Sequence, residues 1–160
     1  MRTAKHLERL GWSLWIVLLS VGCSGADRAP ELRLDRVACA RCGMLISELS
    51  GAAAYRTPSA GVRAYDDLAC LVADRADGVG REVAPEEIWV YARDSANEGE
   101  VPVRASTATF VRSPALRTPM GGGVVAFVEA AAASAFAAVS GGELLLWDDL
   151  TREQEIAAIR

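Results

Sequence analysis

Residues 61–78 read GVRAYDDLACLVADRADG, and this stretch sets the architecture. Gly61 to Tyr65 is a short strand-like run, separated from a similar run at Ala52 to Arg56 by the turn residues Thr57-Pro58-Ser59. Asp66 then stands as an N-cap, and Leu68, Leu71 and Val72 recur at helical spacing as far as Asp77-Gly78. Ile88 to Arg93 supplies a third strand rich in large β-formers. The second half repeats this order loosely. Val101 to Ala105 and Thr109 to Ser113 are short strands, and Gly123 to Val128 is a clear apolar one. Glu129 to Val139 is alanine-rich and helical, with Gly141-Gly142 ending it. Glu143 to Trp147 reads as a strand, and Asp148 or Asp149 caps a last short helix through Ile159. Short strands alternating with single helices predict an α+β domain rather than a helical one. There is no exact internal repeat, so a duplication rests on the pattern of elements alone.

The N-terminus reads as an export signal. Arg2, Lys5 and Arg9 form a basic head before an apolar stretch from Leu10 to Val21. That stretch falls short of the about 20 apolar residues a spanning helix needs. Ser20-Val21-Gly22-Cys23 resembles a bacterial lipoprotein cleavage box, with Ser20 where leucine is usual. The expectation is a signal peptide over residues 1–22 and a lipidated Cys23, with an ordinary signal peptide or an uncleaved anchor as the alternative. Several acyl chains on Cys23 would anchor the protein stably. Ser24 after the cysteine points to the outer membrane and a periplasm-facing domain. Residues 23–36 are polar, with Gly, Pro and charges, and read as a disordered or extended tether; residues 37–160 form the folded domain.

Composition excludes several functions. The formal net charge of the 160-residue chain is −4, and removing the signal takes away three cations against Glu8 alone. An acidic, tethered domain is a poor nucleic-acid binder, because that affinity comes from cations neutralising phosphate. The single histidine, His6, leaves with the signal, which removes Ser-His, Cys-His and His-zinc catalysis from consideration.

What remains is sulfur. Cys39-Ala40-Arg41-Cys42-Gly43-Met44 brings two thiols and a thioether within six residues, and Thr118-Pro119-Met120 before three glycines holds a second thioether. Thiolates and thioethers are soft donors that favour Cu(I), zinc and iron–sulfur clusters. Structural zinc sites do not use thioether, so Cys with Met points to Cu(I). Cys39 and Cys42 also fit a thioredoxin-like redox pair or a simple disulfide staple, although no strong strand precedes them and no second Cys-x-x-Cys completes a zinc knuckle. Cys70 falls on the apolar side of the predicted helix and reads first as core packing, with ligation as the alternative. Pro119 and the glycines let the loop present Met120 at a fixed place. Asp66-Asp67 and Asp148-Asp149 read as helix caps, and Trp89 and Trp147 as core residues of strands.

These residues together resemble the NosL family. The matching motifs are the Cys-Gly-Met preceded by a cysteine, Tyr65-Asp66-Asp67-Leu68-Ala69-Cys70, Trp89-Val90, the Thr-Pro-Met-Gly-Gly-Gly loop with Val125-Ala126-Phe127, and Trp147-Asp148-Asp149-Leu150. The resemblance covers about Val37 to Leu150. It implies a copper-binding accessory lipoprotein of nitrous oxide reductase maturation, without catalytic activity. It implies a fold of two related ββαβ units, similar to part of an organomercurial lyase. It carries Cu(I) ligands onto Cys42 and Met44; Met120 is an extension of that set, and Cys39 a substitute where other members recruit histidine. The implied donor is a copper exporter or small copper chaperone, and the implied acceptor a membrane transporter complex of the maturation system. The rivals are a periplasmic thiol–disulfide oxidoreductase using Cys39 and Cys42, a lyase, a cross-linked scaffold lipoprotein, and a carrier for another cuproenzyme such as cytochrome oxidase.

Overall fold

In the computed structural model, which describes residues 28–158 apart from positions 60 and 98, the chain builds one mixed seven-stranded sheet. Cys23 and the expected signal peptide over residues 1–22 lie outside the described residues. Chain order is β1 (Ala53–Thr57), β2 (Gly61–Tyr65), α1 (Leu68–Ala76), β3 (Ile88–Asp94), β4 (Gly99–Arg104), β5 (Thr109–Arg112), β6 (Val124–Phe127), α2 (Ala130–Ser140), β7 (Glu143–Leu145) and α3 (Trp147–Ala158). Along the sheet the strands run β2-β1-β3-β6-β5-β7, and β4 pairs with β3. The pairings are antiparallel except β3 with β6.

β3 is the seam. It pairs with β4 along Trp89–Asp94, so its other edge is shared: β1 takes Ile88 to Val90, and β6 takes Ala92 and Arg93. Alternate residues then go to opposite faces, as the period of two requires. Tyr55, Val90, Ala92, Phe110 and Ala126 join Leu68, Leu71 and Val72 of α1 and Trp147 and Leu150 of α3 in the main core. On the other face Ala54 and Tyr91 pack with Ile46, while Val111, Val125 and Phe127 pack with Ala133 and Ala137 of α2. Both faces are covered. That is why β6 is buried at every residue instead of alternating with solvent.

Three expectations need correction. The cap of α1 is Asp67, whose side chain accepts a hydrogen bond from the Ala69 amide, and not Asp66. One carboxylate satisfies the free amide at a helix start, so the neighbouring one is released for other work. The strand expected to reach Trp147 stops at Leu145, and Trp147 opens α3. Asp149 lies in the first turn of that helix, its carboxylate accepting from the Leu146 amide, and Trp147 turns inward to meet Phe110 at 6.2 Å between ring centroids. The supposed tether is ordered from its middle onward. The Tyr91 hydroxyl donates to the Pro30 carbonyl at 2.6 Å, and Leu32 and Val37 pack on the Ile46–Tyr91 cluster. A tyrosine buried on a sheet needs a partner for its hydroxyl, and this segment supplies it.

Candidate metal centre

Residues 38–45 form a closed loop. Ala38 and Leu45 make an isolated antiparallel bridge, the Cys39 amide donates to the Met44 carbonyl at 2.7 Å, and the Gly43 amide donates to the Cys39 carbonyl at 3.0 Å. Gly43 has φ 78, with open space where a Cβ would be, so glycine serves the backbone here rather than packing. The Ala40 amide donates to the Ala64 carbonyl at 2.8 Å, which ties the loop to β2.

Arg41, between the two cysteines, ties the loop to α1 as well. Its Nη1 lies 2.8 Å from Asp74 Oδ1 and 2.9 Å from Asp77 Oδ2. Asp74 is buried and also receives Arg63 Nη2 and the Tyr65 hydroxyl, each at 3.0 Å. Burial alone would push the Asp74 carboxyl up, but the hydrogen bonds from Arg41, Tyr65 and Arg63 outweigh it and hold its pKa below the ordinary 3.8. A depressed folded value means the stabilisation is complete above the ordinary value and is lost as pH falls through the depressed one. Asp74→Asn is therefore expected to cost about 1–3 kcal/mol at neutral pH. It should also flatten the fall in melting temperature below about pH 4. Superimposable pH profiles for variant and parent would remove Asp74 from this role.

Below the loop the chemistry converges. Sγ of Cys39, Cys42 and Cys70 and a carboxylate oxygen of Asp66 all lie within 4.8 Å of one another. Cys42 is half-buried, while Cys39 and Cys70 are each 3% exposed and Asp66 is 2% exposed. The Cys42 thiol reaches Asp66 at 3.6 and 3.7 Å. Burial pushes the Cys39 thiol up, helped by the Asp66 side chain, while backbone amides of Cys42, Asp66 and Arg41 pull the other way. Burial also pushes the Cys70 thiol up, and the neighbouring Cys39 adds to it. A thiol raised in this way, as at Cys39, lacks the lowered pKa of a reactive nucleophile. Both thiols suit a site that deprotonates when a metal arrives.

The distant Thr118-Pro119-Met120 loop is docked beside this cluster by the residue next to Asp66. Asp67 Oδ1 accepts the Ala69 amide at 2.8 Å, and Oδ2 accepts the Thr118 hydroxyl at 2.7 Å and the Met120 amide at 2.8 Å. Thr118 Oγ1 in turn accepts the Gly123 amide at 3.1 Å. At Gly122 an added Cβ would fall 2.6 Å from the Ala69 Cβ, so glycine permits the close approach of loop to helix. The side chains of Met44 and Met120 remain at the surface, 44% and 47% exposed.

The NosL family model matches residues 33–155. The chain belongs to the NosL family. The solved copper chaperone NosL from Shewanella denitrificans has a similar fold, with 25% identity and a TM-score of 0.65, over 79% of this chain and 97% of that one. No curated protein matches this chain.

Of the four metal ligands expected for this NosL domain, Cys39 and Cys42 meet in the cluster. Met44 shares their loop, and Met120 is fixed through its backbone amide to Asp67, the neighbour of Asp66. Cys70 and Asp66 are the members that the sequence reading set aside, one as core and one as a cap. A signal for Asp66 was present: two adjacent aspartates precede the helix, and only one can occupy its N-cap. Cys70 is both things at once, part of the main core and part of the cluster.

Proposed function

We propose that this NosL-family chain is a lipid-anchored Cu(I) carrier, not an enzyme, that delivers copper for assembly of nitrous oxide reductase. The observation that carries the reading is the convergence of three thiols and a buried carboxylate within 4.8 Å. Soft sulfur donors of this kind favour Cu(I). The description of the Shewanella denitrificans relative as a copper chaperone supports copper as cargo. Cys39 and Cys42 bind the ion from the loop, and Met44 and Met120 offer thioethers on the exposed side, where a partner docks and the ion leaves. Cys23 carries the lipid anchor, in the outer membrane and facing the periplasm. A copper exporter or small chaperone loads the site, and the maturation transporter complex receives the ion. The fold reading belongs with this one. Each half forms a ββαβ unit in which the first strand pairs antiparallel with the second and the third, β1 with β2 and β3, and β5 with β6 and β7.

The raised Cys39 thiol and the placement of the Cys-x-x-Cys on a bridged loop, rather than at a helix N-terminus, favour this reading over a thiol–disulfide catalyst. The reduced full-length chain is expected to take one Cu(I) from a Cu(I)-selective chelator, and a chain that takes none is not a copper carrier. The client is tested separately. A host lacking this chain should make copper-poor nitrous oxide reductase, and a fully loaded enzyme there would remove the client while leaving the metal.

A further inference from the structure

Cys70 stands in the first turn of α1, and its place on that helix is tied to the loop above it. Asp74 and Asp77 follow at i+4 and i+7 and so share its face. Both accept Arg41, the residue between Cys39 and Cys42. The ion pairs that dock the loop therefore bring the face bearing Cys70 against the two loop cysteines. A cysteine serving only as filler needs apolar neighbours. Cys70 has them in the main core, and it lies besides within 4.8 Å of two further thiols and of Asp66, whose buried carboxylate meets thiols and, among the described residues, no ion pair. A buried carboxylate facing thiols rather than a guanidinium calls for a cation among them. Cys70 lies in the first turn of α1, where the helix dipole favours negative charge.

We propose that Cys70 is a metal ligand, and that copper rests on the three thiolates of Cys39, Cys42 and Cys70. This rests on the copper reading above and deepens it. Binding replaces three S–H bonds with three Cu–S bonds, releases the three protons to solvent and leaves copper as Cu(I) throughout. The resting ion then has a buried side, Cys39 and Cys70, and an exposed side at Cys42. Met44 and Met120 are outside the resting set and take the ion through Cys42 as it leaves. A half-exposed thiolate shared by the two sides gives ligand exchange a path that does not open the core.

The test uses the full-length chain, reduced, loaded with Cu(I) and prepared with selenomethionine. X-ray absorption at the copper edge should show three sulfur neighbours and no selenium. Cys70→Ala should leave two sulfur neighbours and weaken Cu(I) binding by about 100-fold or more against a chelator. The paired variant Met44→Leu with Met120→Leu should keep three sulfurs and bind within about threefold of the parent. Fewer than three sulfur neighbours in the parent, or Cys70→Ala binding as tightly as the parent with its fold intact, overturns the role of Cys70 and leaves a copper carrier; selenium at the metal overturns the all-thiolate resting set. If Cys70→Ala fails to fold, the sulfur count on the parent decides alone. A parent chain that takes up no Cu(I) refutes the copper reading itself.

Discussion

Cys42→Ser is expected to weaken Cu(I) binding by about 100-fold or more while leaving the melting temperature within a few degrees of the parent. Cys42 is the half-exposed member of the cluster: its sulfur meets Asp66, and it packs against the main core only from the edge. Serine keeps the size and hydrogen-bonding capacity of the side chain but replaces a soft thiolate with a hydroxyl that Cu(I) binds poorly. Cys39→Ser should also weaken binding, and it should lower stability as well. Cys39 is packed in the main core, and a hydroxyl there loses apolar burial. Chelator competition and thermal melts on the same preparations separate the two effects. Unchanged copper affinity in Cys42→Ser, with the protein folded, would move the site elsewhere.

A second large effect should come from a residue that touches no metal. Asp67→Ala removes the cap of α1 and both hydrogen bonds that dock the Thr118–Gly123 loop. A cap is worth about 1 kcal/mol, and each buried hydrogen bond to a carboxylate a similar amount or more, so a loss of about 3 kcal/mol is expected. For a domain of this size that lowers the melting temperature by roughly 10 °C. Asp67→Asn should fall between, because the Met120 amide and the Thr118 hydroxyl share one oxygen that the amide nitrogen cannot fully replace. Limited proteolysis should open first within residues 117–123, where the loop is freed. A melt within about 2 °C of the parent would mean that the loop is held by other contacts.

Sequence pattern located the elements well where a local signal governs them. The turn at Thr57-Pro58-Ser59, the strands on either side, the end of α2 at Gly141 and the apolar run of β6 follow from turn chemistry, a left-handed C-cap and hydrophobicity. It failed at Asp66 by one residue, because either of two adjacent aspartates satisfies the local rule for a cap. The choice depends on which carboxylate the Thr118–Met120 loop can reach across the fold. It failed at Trp147 because an apolar run beside a helix start reads equally as strand or helix over so few residues. It missed the ordering of residues 30–36, which depends on Tyr91 some sixty residues away needing an acceptor.

The sequence by itself determined the donor chemistry. Soft sulfur in two loops, no histidine after His6, the Cys-x-x-Cys with its glycine, and the α+β order of elements are all local facts of residue type and spacing. Tertiary structure alone decided which donors meet. Cys70 and Asp66 join Cys39 and Cys42 because Arg41 pairs with Asp74 and Asp77, and because Asp67, by taking the cap, leaves Asp66 turned toward the thiols. Those are contacts across more than thirty positions in one case and between competing neighbours in the other. A residue's type and spacing state what it can bind, whereas its company is set by the packing of a loop on a helix.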